Sequence, residues 1–521
     1  MTRSRTADAV SGFVAAAVAL GVAELAAAVT GGASLIVEVG DVIVDKTPGP
    51  VVKWAIDLLG TNDKPFLLWS VTIGALVIGT LLGPLAGRYR NAGFAAFALF
   101  GVLGALAGAQ DPLTSSILAV VIAAAAALAG VATLSILLEA APATRDLAAD
   151  PPLPGRGVAD RRRFLQLAGA AGGGAALAAF TGRGLIGPAV DVEEQREAVS
   201  LPPVQIDTTG DGFEVDGLSP LITPNEDFYR IDTALVVPRV DTSDWTLSFT
   251  GMVDNPYSLT FDELVGMATL EEAVTLACVS NEVGGDLVGN AVWRGVPLAD
   301  LLERAGVQEG ATQIVGRSVD NFTTGFPTDL ALDGRPAMIA IGMNGEPLPA
   351  QHGFPARVIV PGLYGYVSAT KWLKEIELTR LEDFDAYWIP RGWAKEAPIK
   401  TQSRIDTPRN GRTLTTAARA VAGVAWGGLR SISRVEVRIS PSDEDASAGE
   451  WVEAELGPAL SQSTWRQWVL QWTPPGAGEW RLQVRATDGE GETQTSAEQR
   501  PAPDGATGYH EIRVKIEAAE V

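Results

Sequence analysis

The sequence predicts a multidomain protein with an N-terminal all-α bundle of transmembrane helices, a central α+β domain and a C-terminal all-β sandwich. Three observations lead to this prediction. Long apolar runs lie in the first third of the 521-residue chain, whereas the formal net charge of −22 comes from the acidic last two thirds. After Pro398 the pattern changes to short β-rich runs separated by turn-forming residues. We therefore expect domains at 1–139, 201–397 and 398–521, with a linker region at 140–200.

The N-terminal domain is predicted from apolar runs of membrane-spanning length. A transmembrane helix needs about 20 predominantly apolar residues. Buried helices of a large soluble protein are the alternative, but successive runs with only short polar breaks favour membrane spans. Four stretches meet or approach the required length: Ser11–Thr30, Phe66–Ala86, Ala92–Ala109 and Leu113–Leu138.

Basic residues give these four spans an orientation, because Lys and Arg accumulate in cytoplasmic loops. Arg3 and Arg5 precede the first span, and Arg88 and Arg90 separate the second from the third. The loop Asp41–Lys64 is mixed and acidic instead. We expect the N-terminus inside, and the chain inside again after the fourth span.

The linker region is predicted to contain an export signal or a fifth hydrophobic span. A proline-rich stretch at 140–157 leads to DRRRFLQLAGAAGGGAALAAF, in which Arg161 and Arg162 precede Phe164 and Leu165 as in the twin-arginine export pattern, here inside the chain. An ordinary fifth hydrophobic span with a basic flank is the alternative. Both interpretations place the chain after about Thr181 outside the cytoplasm, so we expect a multi-pass protein of the cell membrane with its larger domains on the extracytoplasmic side.

The segment TLACVSNEVGG contains Cys278, the only cysteine in the chain. A free cysteine is most often a small buried hydrophobe, which is the simplest interpretation. An exported domain with one cysteine cannot form an internal disulfide, so this thiol is free, intermolecular or a ligand. A thiolate held by a metal is protected in a way that an idle exported thiol is not.

Strands and helices alternate in the central domain. Extended stretches are predicted at Trp245–Met252 and Arg357–Pro361, and helices at Thr260–Met267 and Pro297–Ala305. In the C-terminal domain, AGVAWGG, RVEVRIS, WVEAEL, WVLQW, WRLQVRATD and HEIRVKIEA predict the strands of a sandwich, with SPSDEDASAGE as an acidic hairpin loop. Acidic residues number 62 and lysines are few, which argues against a nucleic-acid partner.

From Leu221 to Val521 the chain resembles the molybdopterin oxidoreductases of the sulfite oxidase family. VTLACVSNEVGG resembles the segment whose cysteine binds molybdenum, and NGEPLPAQHGFPARVIVPGLYGYVSATKWLKEIEL resembles the pterin-binding stretch. The final sandwich resembles the family's immunoglobulin-like dimerisation domain, which implies a homodimer as one arrangement. The resemblance covers nearly the whole soluble part and none of the membrane part.

The resemblance also implies roles for individual residues. Cys278 is the implied metal ligand, with Ser280 and Asn281 beside it, and the loop TPNEDFYRI resembles the one that closes over the cofactor. For Arg357 and Lys371, the alternative to pterin binding is an ordinary surface charge. For His352, the alternative is a hydrogen-bonded core histidine. The implied cofactor contacts are Asn225, Phe228, Tyr229, His352, Arg357 and Lys371, with Arg230 in the same loop as a catalytic candidate.

Two departures from the family concern the substrate. Phe322 in DNFTTGFP stands where sulfite oxidases have a tyrosine near the metal, and Arg230–Asp232 reads RID where they have Arg-Asn-His. A phenyl ring cannot donate the hydrogen bond or proton of a tyrosine hydroxyl. We therefore expect Phe322 to shape catalysis and sulfite oxidation to be weak or absent.

Taken together, the resemblance implies a membrane-anchored molybdopterin-dependent oxidoreductase that transfers an oxygen atom to or from a small, sulfur-containing substrate. Electrons would be exchanged with a separate carrier or a quinone. A sulfoxide reductase of the same family, of the methionine sulfoxide type, and a non-catalytic exported surface-binding protein are the alternatives. We expect no haem, because His352, His510 and the methionines all lie outside the spans, where they cannot supply paired axial ligands.

Overall fold

The computed structural model describes residues 2–32, 34–59, 62–111, 114–141, 143–144, 156–184, 191–206, 212–445 and 448–518. The chain forms two compact units. The first comprises Met1–Asp191 with Ala234–Val237, and the second comprises Val192–Thr233 with Pro238–Val521.

The first unit is helical apart from two short strands. Strands β1 (Thr2–Arg3) and β2 (Ala143–Thr144) pair antiparallel. The helices are α1 (Arg5–Thr30), α2 (Leu35–Lys46), α3 (Gly49–Leu59), α4 (Asp63–Arg88), α5 (Arg90–Gly108), α6 (Ser116–Ala140) and α7 (Arg156–Gly184).

Within the described residues, four helices are long and apolar enough to cross a membrane, namely α1, α4, α5 and α6. They cover nearly all of the four predicted apolar runs, so the prediction of four long apolar helices is confirmed. The predicted fifth span lies in α7, which is helical but is not one of the four. Its run consists largely of glycine and alanine, which contribute little to transfer into a hydrocarbon phase.

The segment between the first two apolar helices differs from the sequence prediction. It was expected to be a loop at Asp41–Lys64, but it contains the end of α2 and all of α3. Charge alone suggested a loop, whereas the apolar residues Leu35, Val39, Val42 and Ile43 recur at helical spacing. In this segment the helical spacing of apolar residues predicts the structure better than the charged composition does.

Glycines bring α1 and α4 into close contact. Gly79 and Gly83 lie one turn apart on α4. A Cβ atom at Gly83 would lie 2.0 Å from the backbone oxygen of Asp8, and one at Gly12 would lie 2.1 Å from that of Gly79. Small residues at this spacing let the backbones of membrane helices approach each other. The packing of α1 on α4 therefore requires glycine on both helices.

Replacing Gly83 by valine should separate the two helices, because the added atoms have no space against the backbone of α1. We expect Gly83→Val to destabilise the detergent-solubilised protein by about 1–3 kcal/mol, the usual range for overpacking, and to lower its melting temperature. Gly74→Val is the matched control, because no atom lies within 4 Å of a Cβ built at Gly74 on the same helix. Equal melting temperatures for the two variants would contradict this account of the packing.

The second unit begins with α8 (Val192–Glu197) and continues into a domain of two sheets, the first entirely antiparallel and the second mixed. One sheet has the strand order β10-β9-β6-β5, with β11 also paired to β9, and the other has the order β4-β3-β12-β7-β8. The elements are β3 (Thr246–Gly251), β4 (Tyr257–Thr260), α9 (Phe261–Met267), β5 (Leu270–Ala277), β6 (Val288–Pro297), α10 (Leu298–Ala305), β7 (Gln313–Ser318), β8 (Thr323–Pro327), β9 (Met338–Met343), β10 (Glu346–Pro347), β11 (Arg357–Ile359), α11 (Gly365–Ser368) and β12 (Leu373–Thr379).

The predicted helices of this domain are confirmed, and their ends have identifiable causes. Thr260 Oγ1 accepts a hydrogen bond from the backbone N–H of Glu263, and the Glu263 carboxylate accepts one from the N–H of Thr260. This reciprocal pair is a capping box that starts α9. Helix α10 ends at Gly306, whose φ of 69° is left-handed and suits glycine.

After Pro398 the described chain forms two β-sheets that share one buried cluster, in the region where the sequence predicts a β-sandwich. Its sheets have the strand orders β13-β15-β19-β18 and β14-β21-β20-β16-β17. Both contribute to one buried cluster, with Val421 and Trp468 from the first sheet and Val435, Leu482 and Ile512 from the second. The strands are β13 (Gln402–Thr407), β14 (Thr413–Thr415), β15 (Arg419–Trp426), β16 (Ile432–Pro441), β17 (Trp451–Glu453), β18 (Glu455–Leu456), β19 (Arg466–Trp472), β20 (Gly478–Asp488) and β21 (His510–Glu517).

Candidate functional site

The loop after β5 carries the single cysteine and is closed by hydrogen bonds. The backbone N–H of Cys278 donates to the Leu287 oxygen at 2.9 Å, and the N–H of Asn281 donates to the Cys278 oxygen at 3.1 Å. The Asn281 Oδ1 accepts the N–H of Leu287 at 2.9 Å. The side chain of Asn281 therefore fixes the shape of the loop and does not itself line the cavity described next.

Cys278 faces a cavity of the second unit. The space between protein atoms there, including the part open to solvent, is about 750 Å³. Its walls come from the loop before β3, the Cys278 loop, the β7–β8 turn and the stretch from β10 to β12. Seven sequence-predicted site residues line it: Phe228, Tyr229, Cys278, Phe322, His352, Arg357 and Lys371.

Cys278 is buried, with 8% of its surface exposed. Burial raises the pKa of its thiol, and hydrogen bonds from the backbone N–H and hydroxyl of Ser280 oppose that rise. Ser280, predicted beside the cysteine, thus donates toward the sulfur without lining the cavity. Donors aimed at sulfur favour a thiolate, the form that binds a metal.

Arg357 on β11 is a buried cation with unused hydrogen-bonding capacity. It is 5% exposed, its Nη1 donates to the His352 oxygen at 3.0 Å, and its guanidinium carbon lies 4.9 Å from the centre of the Trp293 ring. Its Nε is buried and has no hydrogen-bond partner among the described residues. Burial lowers the pKa of Arg357 to about 10. A buried guanidinium with an unpaired N–H is suited to an anionic ligand.

Lys371 shares this cavity and is held by a carboxylate. Its Nζ donates to Asp232 Oδ2 at 2.8 Å and to the Gln351 oxygen at 3.2 Å. Burial lowers the pKa of Lys371 to about 8, although the charge of Asp232 opposes that change. The same carboxylate oxygen of Asp232 accepts from Arg230 Nε at 2.9 Å. Arg230 is 37% exposed and does not line the cavity, so Asp232 joins a buried cation to a more exposed one.

His352 links the predicted pterin stretch to the loop of Asn225. Its Nε2 lies 2.9 Å from the backbone oxygen of Asn225. Because a carbonyl only accepts, Nε2 carries the proton and donates it. Burial lowers the pKa of His352 to about 4, so the ring is neutral near pH 7. The amide of Asn225 instead accepts from Asn344 Nδ2 at 2.8 Å, so Asn225 supports the site through its backbone.

Aromatic side chains complete the wall on the other side. The rings of Phe228 and Tyr229 stack at 5.3 Å, and Phe228 also meets the His352 ring edge-on at 5.7 Å. Burial raises the pKa of the Tyr229 hydroxyl, and the nearby Cys278 raises it further. Phe322 lies 5.5 Å from the ring of Tyr387. A phenol, rather than a phenolate, therefore stands near the sulfur.

Sequence reasoning missed Asp232 and Asp320 as site residues. Both line the cavity. Asp320 Oδ1 accepts the N–H of Phe322 at 3.1 Å, and burial raises the pKa of its carboxyl group. Each stands within three residues of a predicted site residue, in RID and DNFTTGFP. Their closeness in sequence to Arg230 and Phe322 could have marked both residues as site candidates. The sequence does not show that Asp232 pairs with Lys371, which lies 139 positions away.

Two residues of the sandwich, also missed, hold the Cys278 loop. Arg404 Nη1 donates to the Gly285 oxygen at 2.8 Å. The ring of His510 lies against Gly284, where a Cβ atom would be 2.2 Å from its Cδ2. Gly284 also has a φ of 78°, so both space and backbone conformation require glycine. The sandwich thus contributes to the shape of the loop.

Comparisons with known proteins agree with this geometry. Residues 234–388 match the family model described as the oxidoreductase molybdopterin binding domain. Mitochondrial sulfite oxidase from Homo sapiens is 29% identical over 343 residues, covering 57% of this chain and 59% of that protein. Nitrate reductase [NADH] 1 from Oryza sativa subsp. japonica is 38% identical over 259 residues, covering 39% of this chain and 28% of that protein.

One solved structure is also similar in part. The sulfane dehydrogenase SoxCD from Paracoccus pantotrophus matches with a TM-score of 0.47 and 21% identity, covering 62% of this chain and 90% of that chain.

The fold and the matched family model define the class of protein: residues 234–388 form the molybdopterin-binding domain of an oxidoreductase. Over these residues the chain is similar to sulfite oxidases, as the resemblance of the Cys278 and Arg357 segments predicted. The chain spans 59% of the length of the human sulfite oxidase that it matches.

Because Cys278 is the only cysteine, a maleimide probe reports on its loop alone. We expect Asn281→Ala, in protein produced without molybdopterin, to speed labelling about fivefold, because leaving the half-buried N–H of Leu287 without its partner costs on the order of 1 kcal/mol. Asn410→Ala is the control, since it removes a bond of the same kind, an Asn oxygen accepting a backbone N–H, from the exposed N–H of Arg513 in the sandwich. Labelling at one rate in the parent and both variants would show that Asn281 does not hold the loop.

Proposed function

We propose that this protein is a membrane-anchored molybdopterin-dependent oxidoreductase that moves an oxygen atom to or from a small, sulfur-containing substrate. The observation that carries the proposal is the single buried cysteine facing a cavity that also holds Arg357 and Lys371. A thiol, a guanidinium with an unpaired N–H and an ammonium group match a metal bound to an anionic organic ligand.

The residues present fit such a cofactor. Cys278 would ligate molybdenum as a thiolate. Arg357 and Lys371 would hold the phosphate and pterin, and His352 would accept a hydrogen bond at Nδ1, the ring nitrogen that carries no proton. When bound, the cofactor supplies oxygen-atom transfer coupled to two-electron redox chemistry. The protein supplies binding, orientation and the electrostatic environment.

The overall reaction balances with water and two electrons. Substrate plus water gives oxygenated product, two protons and two electrons, or the reverse for a reductase. Those electrons would be exchanged one at a time with a separate redox carrier, or with a quinone. Tyr229 is a protonated hydroxyl in the cavity, and we propose it as the group that holds a proton beside the reacting oxygen.

The first unit would anchor the enzyme in the cell membrane, with the second unit on the extracytoplasmic side. Four apolar helices support the anchor, and the positions of Arg88 and Arg90 support the orientation. The sandwich resembles an immunoglobulin-like dimerisation domain, which supports a homodimer. No haem is proposed, because the chain offers no histidine in the apolar helices.

Replacing Cys278 with serine tests the metal site. We expect Cys278→Ser to remain folded but to lose turnover by more than about 100-fold, because changes in outer-shell partners of metal ligands already cost about 10- to 100-fold. The parent protein is made in a host that synthesises molybdopterin. Its molybdenum content, pterin fluorescence and visible spectrum are then measured beside its turnover. An active serine variant, or a parent protein that holds no molybdenum, would overturn the proposal.

Reporter fusions test the orientation. After Leu138, only a reporter that works in the cytoplasm should be active. After Asp191, only a reporter that works outside the cytoplasm should be active. The reason is that Arg161 and Arg162 near the start of α7 keep that end of the helix inside. Paired cytoplasmic and periplasmic reporters at each position provide the internal control. Both fusion points on one side would mean that α7 does not cross the membrane.

A further inference from the structure

The second unit has another concave surface, a groove larger than the cavity that Cys278 faces. The space between protein atoms there, including the part open to solvent, is about 1680 Å³. Its walls come from the end of β8 and the turn after it, the start of α11, the segment before β13, and the turn between β15 and β16. Among the described residues, none lines both the groove and the Cys278 cavity, so the two are separate.

Much of the groove wall is apolar. Leu330, Leu363, Val367 and Leu429 all line it. Leu332 lines it as well and is 51% exposed. A concave wall of hydrocarbon with a few polar groups is typical of sites for small organic molecules. The groove is therefore suited to a ligand with an apolar body.

The basic side chains of the groove are already neutralised. Each one in the described part of the chain forms an ion pair with a carboxylate that does not line the groove. The pairs are Arg335 with Asp333 at 2.7 Å, Lys395 with Asp385 at 2.9 Å and Arg430 with Asp488 at 2.8 Å. Opposite charges this close largely cancel each other's field at a ligand. An anion would therefore find no surplus of positive charge in the groove.

Two acidic side chains of the groove, in contrast, lack such a partner. Asp329 and Glu396 line it and are exposed, and neither carboxylate forms an ion pair or hydrogen bond within the described residues. Thr328, beside Asp329, also lines the groove and is 6% exposed. Its Oγ1 has no hydrogen-bond partner among the described residues. A buried hydroxyl without a partner is costly, so a ligand that donates to this oxygen would offset that cost.

We propose that this groove binds an apolar organic cation, a small amine whose ammonium group lies beside Asp329 and Glu396 and whose hydrocarbon body lies against the leucines. The ammonium group has three donors, which the two carboxylates and Thr328 Oγ1 can accept. The inference does not depend on the proposed function, because no residue of the Cys278 cavity takes part in it.

Helix α11 gives such a ligand a connection to the Cys278 cavity. Leu363, just before this helix, and Val367, within it, line the groove, whereas Gly365 and Tyr366 line the cavity. A molecule in the groove would therefore contact the same short helix that forms part of the cavity wall. This arrangement suits an effector that acts on the reaction without entering the cavity.

The test compares three probes of the same shape that differ in charge. Phenylbutylammonium, phenylbutanol and phenylbutyrate are titrated by calorimetry into the full-length protein in detergent, and titration into detergent alone corrects for uptake by micelles. The groove variants are Asp329→Asn, Glu396→Gln and Leu332→Arg. Glu453→Gln and Val452→Arg are the matched controls, because both residues are exposed, Val452 at 50%, and lie on β17 outside the groove.

We expect the parent protein to bind phenylbutylammonium about tenfold more tightly than phenylbutanol, and phenylbutyrate more weakly than either. Asp329→Asn and Glu396→Gln should each weaken binding of the cation about threefold, as for an exposed ion pair, and leave the alcohol unchanged. Leu332→Arg should weaken binding of the cation about tenfold or more, because it adds a positive charge and removes apolar contact. Sodium chloride at about 1 M should remove most of the preference for the cation, because it screens exposed charges.

The inference would be overturned by equal affinity for the three probes, by no saturable binding, or by unchanged binding of the cation in all three groove variants. The last result would place the probe elsewhere on the protein. All three substituted residues are exposed, so the variants should melt at the temperature of the parent. The two controls should bind the cation as the parent does.

Discussion

The buried charge of Arg357 is the constraint around which the candidate site is organised. Removing a guanidinium from water costs several kcal/mol unless partners offset the loss. Strand β11 places Arg357 between the His352 carbonyl and the Trp293 ring, and pairs with β9 to fix it there. His352 in turn bonds to the loop of Asn225. The loop of Asn225, the pterin stretch and the sheet beneath them are thus tied to the position of one cation.

The sequence allowed the main architecture and much of this site to be predicted. Hydropathy located the four apolar helices, because their signal is local and long. The motif around Cys278 and the HGFPAR stretch located the thiol, His352 and Arg357, which the fold brings to one cavity. Phe322, which the resemblance singled out as a departure from the family, lines the same cavity.

What could not be predicted depends on contacts between distant segments. Asp232 becomes a site residue only because the fold brings Lys371 to it, and Arg404 reaches Gly285 across 119 positions. Ser280 and Asn281 were correctly placed beside the cysteine, but their work there is hydrogen bonding within the loop. Helices α2 and α3 were not predicted because charged residues are mixed among their apolar ones, although the apolar residues recur at helical spacing.

The contact of His510 with Gly284 has a consequence for the order of events during synthesis. The residue that packs against the cysteine loop lies on β21, the last strand among the described residues, whereas the loop itself is made about 230 residues earlier. A ribosome therefore releases the loop long before its final neighbour exists. The loop reaches its finished packing only once β21 has joined its sheet, so a chain truncated before β21 lacks this part of its support.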